Sequence, residues 1–195
     1  MNFESLRDIN LEKEQILERR GVERDQEGKL ILFHVTPIKE FAQIIRSHKI
    51  SSPSNTGNRV WRLQDENDES KLGKTYLASK EVARSIATML SGERGGTMMI
   101  LEVHVDEGHL VADEDSRATD WLNSLDSMGT CAATVEMRNF GILERTKGYI
   151  PRNSELVTRF ALASDDELDD VIKSIDIELG RIIEEEDFIL EDVGK

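Results

Sequence analysis

The stretch "KLILFHVTP", Lys29 to Pro37, poses the question on which the fold turns. Leu30, Ile31, Leu32 and Phe33 form an apolar run of strand length, and the run delivers a histidine, His34, to the point where it breaks. Pro37 suits the first position of a helix, where its missing N–H costs nothing. Ile38, Phe41, Ile44 and Ile45 then follow at spacings of three and four. The stretch therefore reads as a strand over residues 29–34 feeding a helix over 37–48.

Working outward, residues 3–20 read as a polar helix with a thin apolar stripe of Phe3, Leu6, Ile9, Ile16 and Leu17. Residues 51–73 show no period and are rich in turn formers and charge, with Trp61 in their midst. Loops of this length inside a domain are uncommon and tend to be functional or disordered. "KTYLAS" reads as a short strand, and "SKEVARSIATML" as a helix with Ser79 placed to cap it. "GGTMMILEVHV" is apolar on both faces through Ile100 and Leu101, the mark of a central strand. "DSRATDWLNSL" reads as a short helix. Strands are expected at Cys131–Met137, Gly141–Leu143, Lys147–Ile150 and Leu156–Leu162. Leu168, Val171, Ile172, Ile175, Leu179, Ile182 and Ile183 mark a C-terminal amphipathic helix with an acidic outer face. Helices flank short strands without regular βαβ alternation, so the fold class is α+β.

The 195 residues set one domain as the default, with room for terminal extensions. No run approaches the roughly 20 apolar residues that a membrane span needs. The acidic opening "MNFESLRDINLEKEQ" has no apolar signal core, and Cys131 is the only cysteine, so an intracellular, cytoplasmic protein without an internal disulfide is expected. Net charge is −14, and residues 165–195 carry thirteen acids against three bases, a net of −10. That balance disfavours sequence-independent nucleic-acid binding, which depends on Lys and Arg neutralising phosphates.

Three polar residues are carried by strands: His34, Tyr76 and Glu136. A glutamate flanked by Val135 and Met137 costs free energy unless it is at an edge, paired, or used. "LFHVT", "TYLASKEVARSIA", "MMILEVHVDEGHL" and "TVEMRNFGILERTKGYIPRN", in that order over roughly residues 29–162, resemble the diphtheria-toxin-like and PARP-like ADP-ribosyltransferases, whose signature is a His–Tyr–Glu triad. The resemblance implies a split, bent β core with flanking helices. It divides the chain into an N-terminal helical extension (1–28), a catalytic domain (29–163) and an acidic C-terminal helix (164–195).

It further implies a glycosyl transfer from NAD, used as substrate, to a macromolecular acceptor, protein or nucleic acid, by a bacterial or phage effector or toxin. In that chemistry the ribose passes through an oxocarbenium-like state, as in glycoside hydrolysis. Glu136 would stabilise that state, Tyr76 would stack on the nicotinamide, and His34 would fix the adenosine ribose. Val35, Thr36 and Ser79 would line the NAD site, and Trp61 is placed to close over the dinucleotide. The chain departs from the family at Val35, where glycine is commonest, and at Thr134, where arginine-modifying toxins carry Glu or Gln, so arginine is not the expected acceptor. Glu144 is the runner-up carboxylate.

Two other classes are open. A non-enzymatic interaction or inhibitor protein would work through its acidic C-terminal helix, docking a basic partner or an immunity-type protein. A metal-dependent hydrolase would use Asp113, Glu114, Asp115 and Asp120, although those acids read more simply as the start of a helix. His104 and His109 are not at metal-ligand spacing.

Overall fold

A computed structural model describes residues 3–47, 49–50, 74–94, 98–113, 116–133, 135–142, 150–151, 155–164, 166–167, 170–171 and 174. In chain order the elements are α1 (Phe3–Arg19), β1 (Leu30–Pro37), α2 (Ile38–Ser47), β2 (Lys49–Ile50), β3 (Thr75–Leu77), α3 (Lys80–Arg94) and β4 (Met98–Val105). A 3-10 turn (Glu107–His109), β5 (Leu110–Ala112), α4 (Trp121–Ser127), β6 (Thr130–Ala132), β7 (Val135–Ile142), β8 (Ile150–Pro151) and α5 (Glu155–Leu162) follow. The fold is mixed α and β, with helices packed around two antiparallel sheets.

The larger sheet runs β1-β4-β7-β2, with β8 on β7, and the smaller runs β3-β6-β5. β4 is central, as its two-faced apolar pattern predicts. Met99, Leu101, Val103 and Val105 face a main core shared with Leu30, Leu32, Met137, Leu17 of α1, Phe41 and Ile45 of α2, and Leu125 of α4. Met98 and Ile100 face a second core under α3, filled by Phe33, Ala83, Ala87 and Leu90. Met99, Ile100, Leu101 and Val103 have no exposed surface. Burying each contributes about 1.5–3 kcal/mol, so this one strand ties the two cores together. Alanine at 83 and 87 lets α3 lie close on the sheet.

The sheets meet at one bridge, where Phe33 and Ala78 exchange both backbone hydrogen bonds at 2.9 Å. A second tie runs from the Thr75 hydroxyl to the Ile50 carbonyl, 3.2 Å.

Several expectations change. Pro37 is the last residue of β1, opposite Met98, and α2 starts one residue later. The expected strand Cys131–Met137 is two strands in different sheets, β6 and β7, because the chain turns between Ala132 and Val135. Leu156–Leu162 is helical: Leu156, Val157, Phe160 and Ala161 recur at the helical period, the helix packs on α2, and Arg46 donates to the carbonyl of Ala163 at 2.8 Å. The 51–73 segment, and the C-terminal helix from residue 175 on, lie outside the described residues; Val171 is buried in the main core. No helix among the described residues is long and apolar enough to cross a membrane.

α4 is capped by Asp120, whose carboxylate accepts from the N–H of Leu122 and Asn123. The turn that follows it depends on Gly129. A Cβ there would lie 2.9 Å from the carbonyl oxygen of Leu77, a backbone atom that cannot swing aside. Gly129→Ala should therefore lower unfolding free energy by about 1–3 kcal/mol. Gly92→Ala, on α3 with open space around it, should raise it by up to about 1 kcal/mol. Urea titration of both variants checks this; equal midpoints would contradict the packing at Gly129.

Candidate functional site

His34 sits at the fifth position of β1, one residue past the bridge that joins the sheets. Its Nδ1 lies 2.8 Å from the backbone carbonyl oxygen of Tyr76. A carbonyl only accepts, so Nδ1 carries the proton and donates; in the neutral ring Nε2 is then an acceptor. Burial lowers the imidazole pKa below its ordinary value, and the hydrogen bond to Tyr76 opposes that only in part. The ring is thus a fixed tautomer that resists protonation. Tyr76 is half-buried on β3, opposite Cys131 of β6. The fold brings His34 and Tyr76 together.

Glu136 is not brought to them. Across β4 and β7, Glu102 stands opposite Asn139, but Val103 stands opposite Met137, so Arg138 is an extra residue in a bulge. Side chains alternate faces along a strand, and one extra residue shifts that alternation. Asn139 takes the face of Glu102, whereas Met137 and Val135 turn into the main core. Glu136, between them, is exposed on the outer face, with Lys49 of β2 as its register partner. His34 continues the Leu30–Leu32 face, which is the main-core side. His34 aligns with Leu101 and Phe140, so Glu136 is displaced by roughly 10 Å along the strands and about 10 Å across them, on the opposite face.

The remaining expected residues divide similarly. Thr36 shares the His34 face, is buried, and donates its hydroxyl to Glu40 at 3.3 Å. Val35 faces the second core beside α3. Ser79 is buried, and its hydroxyl faces the N–H of Val82 at 3.4 Å, at the start of α3. Trp61, Thr134 and Glu144 lie outside the described residues. Of the acidic group at 113–120, Asp113 is buried with its N–H on the Ser124 hydroxyl, and Asp120 is the cap of α4; Glu114 and Asp115 lie outside the described residues. Among the described residues no group of three or more His, Cys, Asp or Glu is set to hold a metal ion.

Sequence reasoning passed over one cluster. On the outer face, His104 Nδ1 lies 2.8 Å from Asp25 and Nε2 3.0 Å from Glu102, which also accepts from Asn139 at 2.7 Å. Asp25 in turn accepts from the N–H groups of Glu27 and Lys29, closing the turn before β1. The signal was the alternation of "LEVHV": Glu102 and His104 share one face while Leu101, Val103 and Val105 share the other. No family model, curated protein or solved structure matches the chain.

Because the folded state holds His34 below its unfolded pKa of about 6.5, protons favour the unfolded chain. The stability is full above about pH 6.5 and falls as pH drops toward the lower folded value. The difference in unfolding free energy between wild type and His34→Gln should therefore shrink between pH 7 and pH 5. A difference constant across that range, measured by urea unfolding, would contradict the buried neutral ring.

Proposed function

We propose that the chain binds NAD where its two sheets meet, at His34 and Tyr76, and transfers ADP-ribose to a macromolecular acceptor. The observation that carries the reading is the hydrogen bond from His34 Nδ1 to the Tyr76 carbonyl. It couples the two strand-borne residues of the sequence pattern and leaves Nε2 ready to accept from a hydroxyl, as a ribose offers. The half-buried ring of Tyr76 is the aromatic group proposed to stack on the cationic nicotinamide, a contact that would contribute about 0.5–2 kcal/mol. The α+β class of the fold is compatible with this reading.

Bond breaking needs a carboxylate facing the developing oxocarbenium ion. Glu136, turned to the outer face by the bulge, is poorly aimed for that role. Glu144, the runner-up carboxylate of the same motif, is the alternative to be tested beside it. A second reading draws on the same observation: a protein that binds the dinucleotide or a partner without turning it over.

Labelled NAD distinguishes them. Wild type, His34→Ala, Tyr76→Ala, Glu136→Gln and Glu144→Gln would be incubated with NAD, with and without lysate. Nicotinamide release, label transfer and the NAD-induced shift in Tm would be followed. Transfer requires release by wild type, a loss of at least about 100-fold when the true carboxylate is changed, and weaker binding in the His34 and Tyr76 variants. A Tm shift without turnover supports the binding protein. Neither shift nor turnover would end the NAD reading.

A further inference from the structure

α1 and the turn after it are held to the body by Leu17 and Val22 in the main core, by the Ile31 N–H on the Glu23 carbonyl at 2.9 Å, and by cations converging on two carboxylates. Glu107, in the 3-10 turn after β4, accepts from Lys13 at 2.9 Å and from Arg24 at 2.5 Å. Asp126, on α4, accepts from Arg19 at 2.7 Å and from Arg20 at 2.8 Å, and Arg20 also reaches its backbone carbonyl. These pairs join residues 83 to 107 positions apart, so each spans the junction between α1 with its following turn and the rest of the fold. Among the described side chains of residues 10–24, Leu17 and Val22 are the buried hydrophobics, and Leu11 is 61% exposed.

We propose that α1 and the turn after it form an ionic strap, latched by Glu107 and Asp126 and released as a unit while the sheets stay folded. Three features favour separate release. The side chains of the latch keep between 24% and 60% of their surface, so the pairs are screened, with a Debye length falling from about 10 Å at 0.1 M salt to about 3 Å at 1 M. Each carboxylate serves two cations, so losing one frees two ties together. The β4 core beneath has no comparable dependence on charge. Segments near a chain terminus commonly open locally below the global unfolding free energy.

Release has a local consequence. Arg20, in the turn just after α1, forms one wall of a cavity of about 270 Å³ whose other walls include Ser79, Glu81, Val82, Ile86 and Met89 around the start of α3. The cavity is complete only while the strap is docked.

Hydrogen–deuterium exchange of the full chain at pH 7 tests this, comparing peptides from residues 3–24 with peptides from β4 in 20 mM and 1 M NaCl. In wild type, salt should speed exchange in 3–24 about tenfold, equivalent to about 1.4 kcal/mol, and leave β4 unchanged. Glu107→Gln with Asp126→Asn should reproduce the fast exchange at low salt and abolish the response to salt. Exchange in 3–24 that always tracks β4 would mean one cooperative unit and overturn the strap. So would a salt response that survives the double variant, or a lack of protection in 3–24 at low salt. The wild-type salt comparison stands even if the double variant fails to fold.

Discussion

Everything in this fold hangs on β4 being buried on both faces. A strand that faces two cores must be flanked on both edges and covered on both sides, and each requirement recruits an element. β1 and β7 take the edges, α2 and α4 close the main core, and α3 with its small Ala83 and Ala87 closes the second. The apolar part of the second face ends at Ile100. Beyond it β4 carries Glu102 and His104 on the same side, and there the sheet is covered by a polar chain from Asp25 to Asn139 instead of by a helix. One strand thus sets where the molecule is dry and where it can be wet.

The joint between the sheets follows from the same arrangement. β1 uses one edge on β4, and among the described residues its other edge makes one backbone bridge, from Phe33 to Ala78 at the end of β3. The next acceptor on β3, the Tyr76 carbonyl, is met by a side chain instead of a backbone N–H. His34 does this from the middle of β1, which stays paired with β4 through Pro37. The ring is half-buried with one nitrogen committed to that carbonyl, which leaves the other as an acceptor of fixed orientation.

Much of this was legible in residues. The helical stripe of α2 and the two-faced pattern of β4 follow from periodicity alone and stand where the pattern put them, whereas the strand before His34 does not break there but runs on to Pro37. What failed had long-range causes. Cys131–Met137 reads as one strand because nothing local in it marks the change of sheet. Leu156–Leu162 satisfies a strand pattern and a helical one, and packing on α2 decides. His34 and Tyr76 were legible as strand-borne polar groups; their contact was not, since it depends on two sheets meeting 42 residues apart in sequence. Glu136 could not be placed, because its face depends on a bulge.

That bulge shows how little sequence it takes to move a functional group. With regular pairing, Asn139 opposite Glu102 would set Met137 and Val135 on the outer face and Glu136 on the His34 side. Two apolar residues would then be wet and a carboxylate would enter a core that already holds Met99, Leu101 and Val103 without exposure. Burying that carboxylate without a partner would cost several kcal/mol. Admitting Arg138 as an extra residue costs one ladder position and keeps Val135 and Met137 buried. The hydrophobic demand of the core therefore decides where Glu136 points, which is away from the face that carries His34.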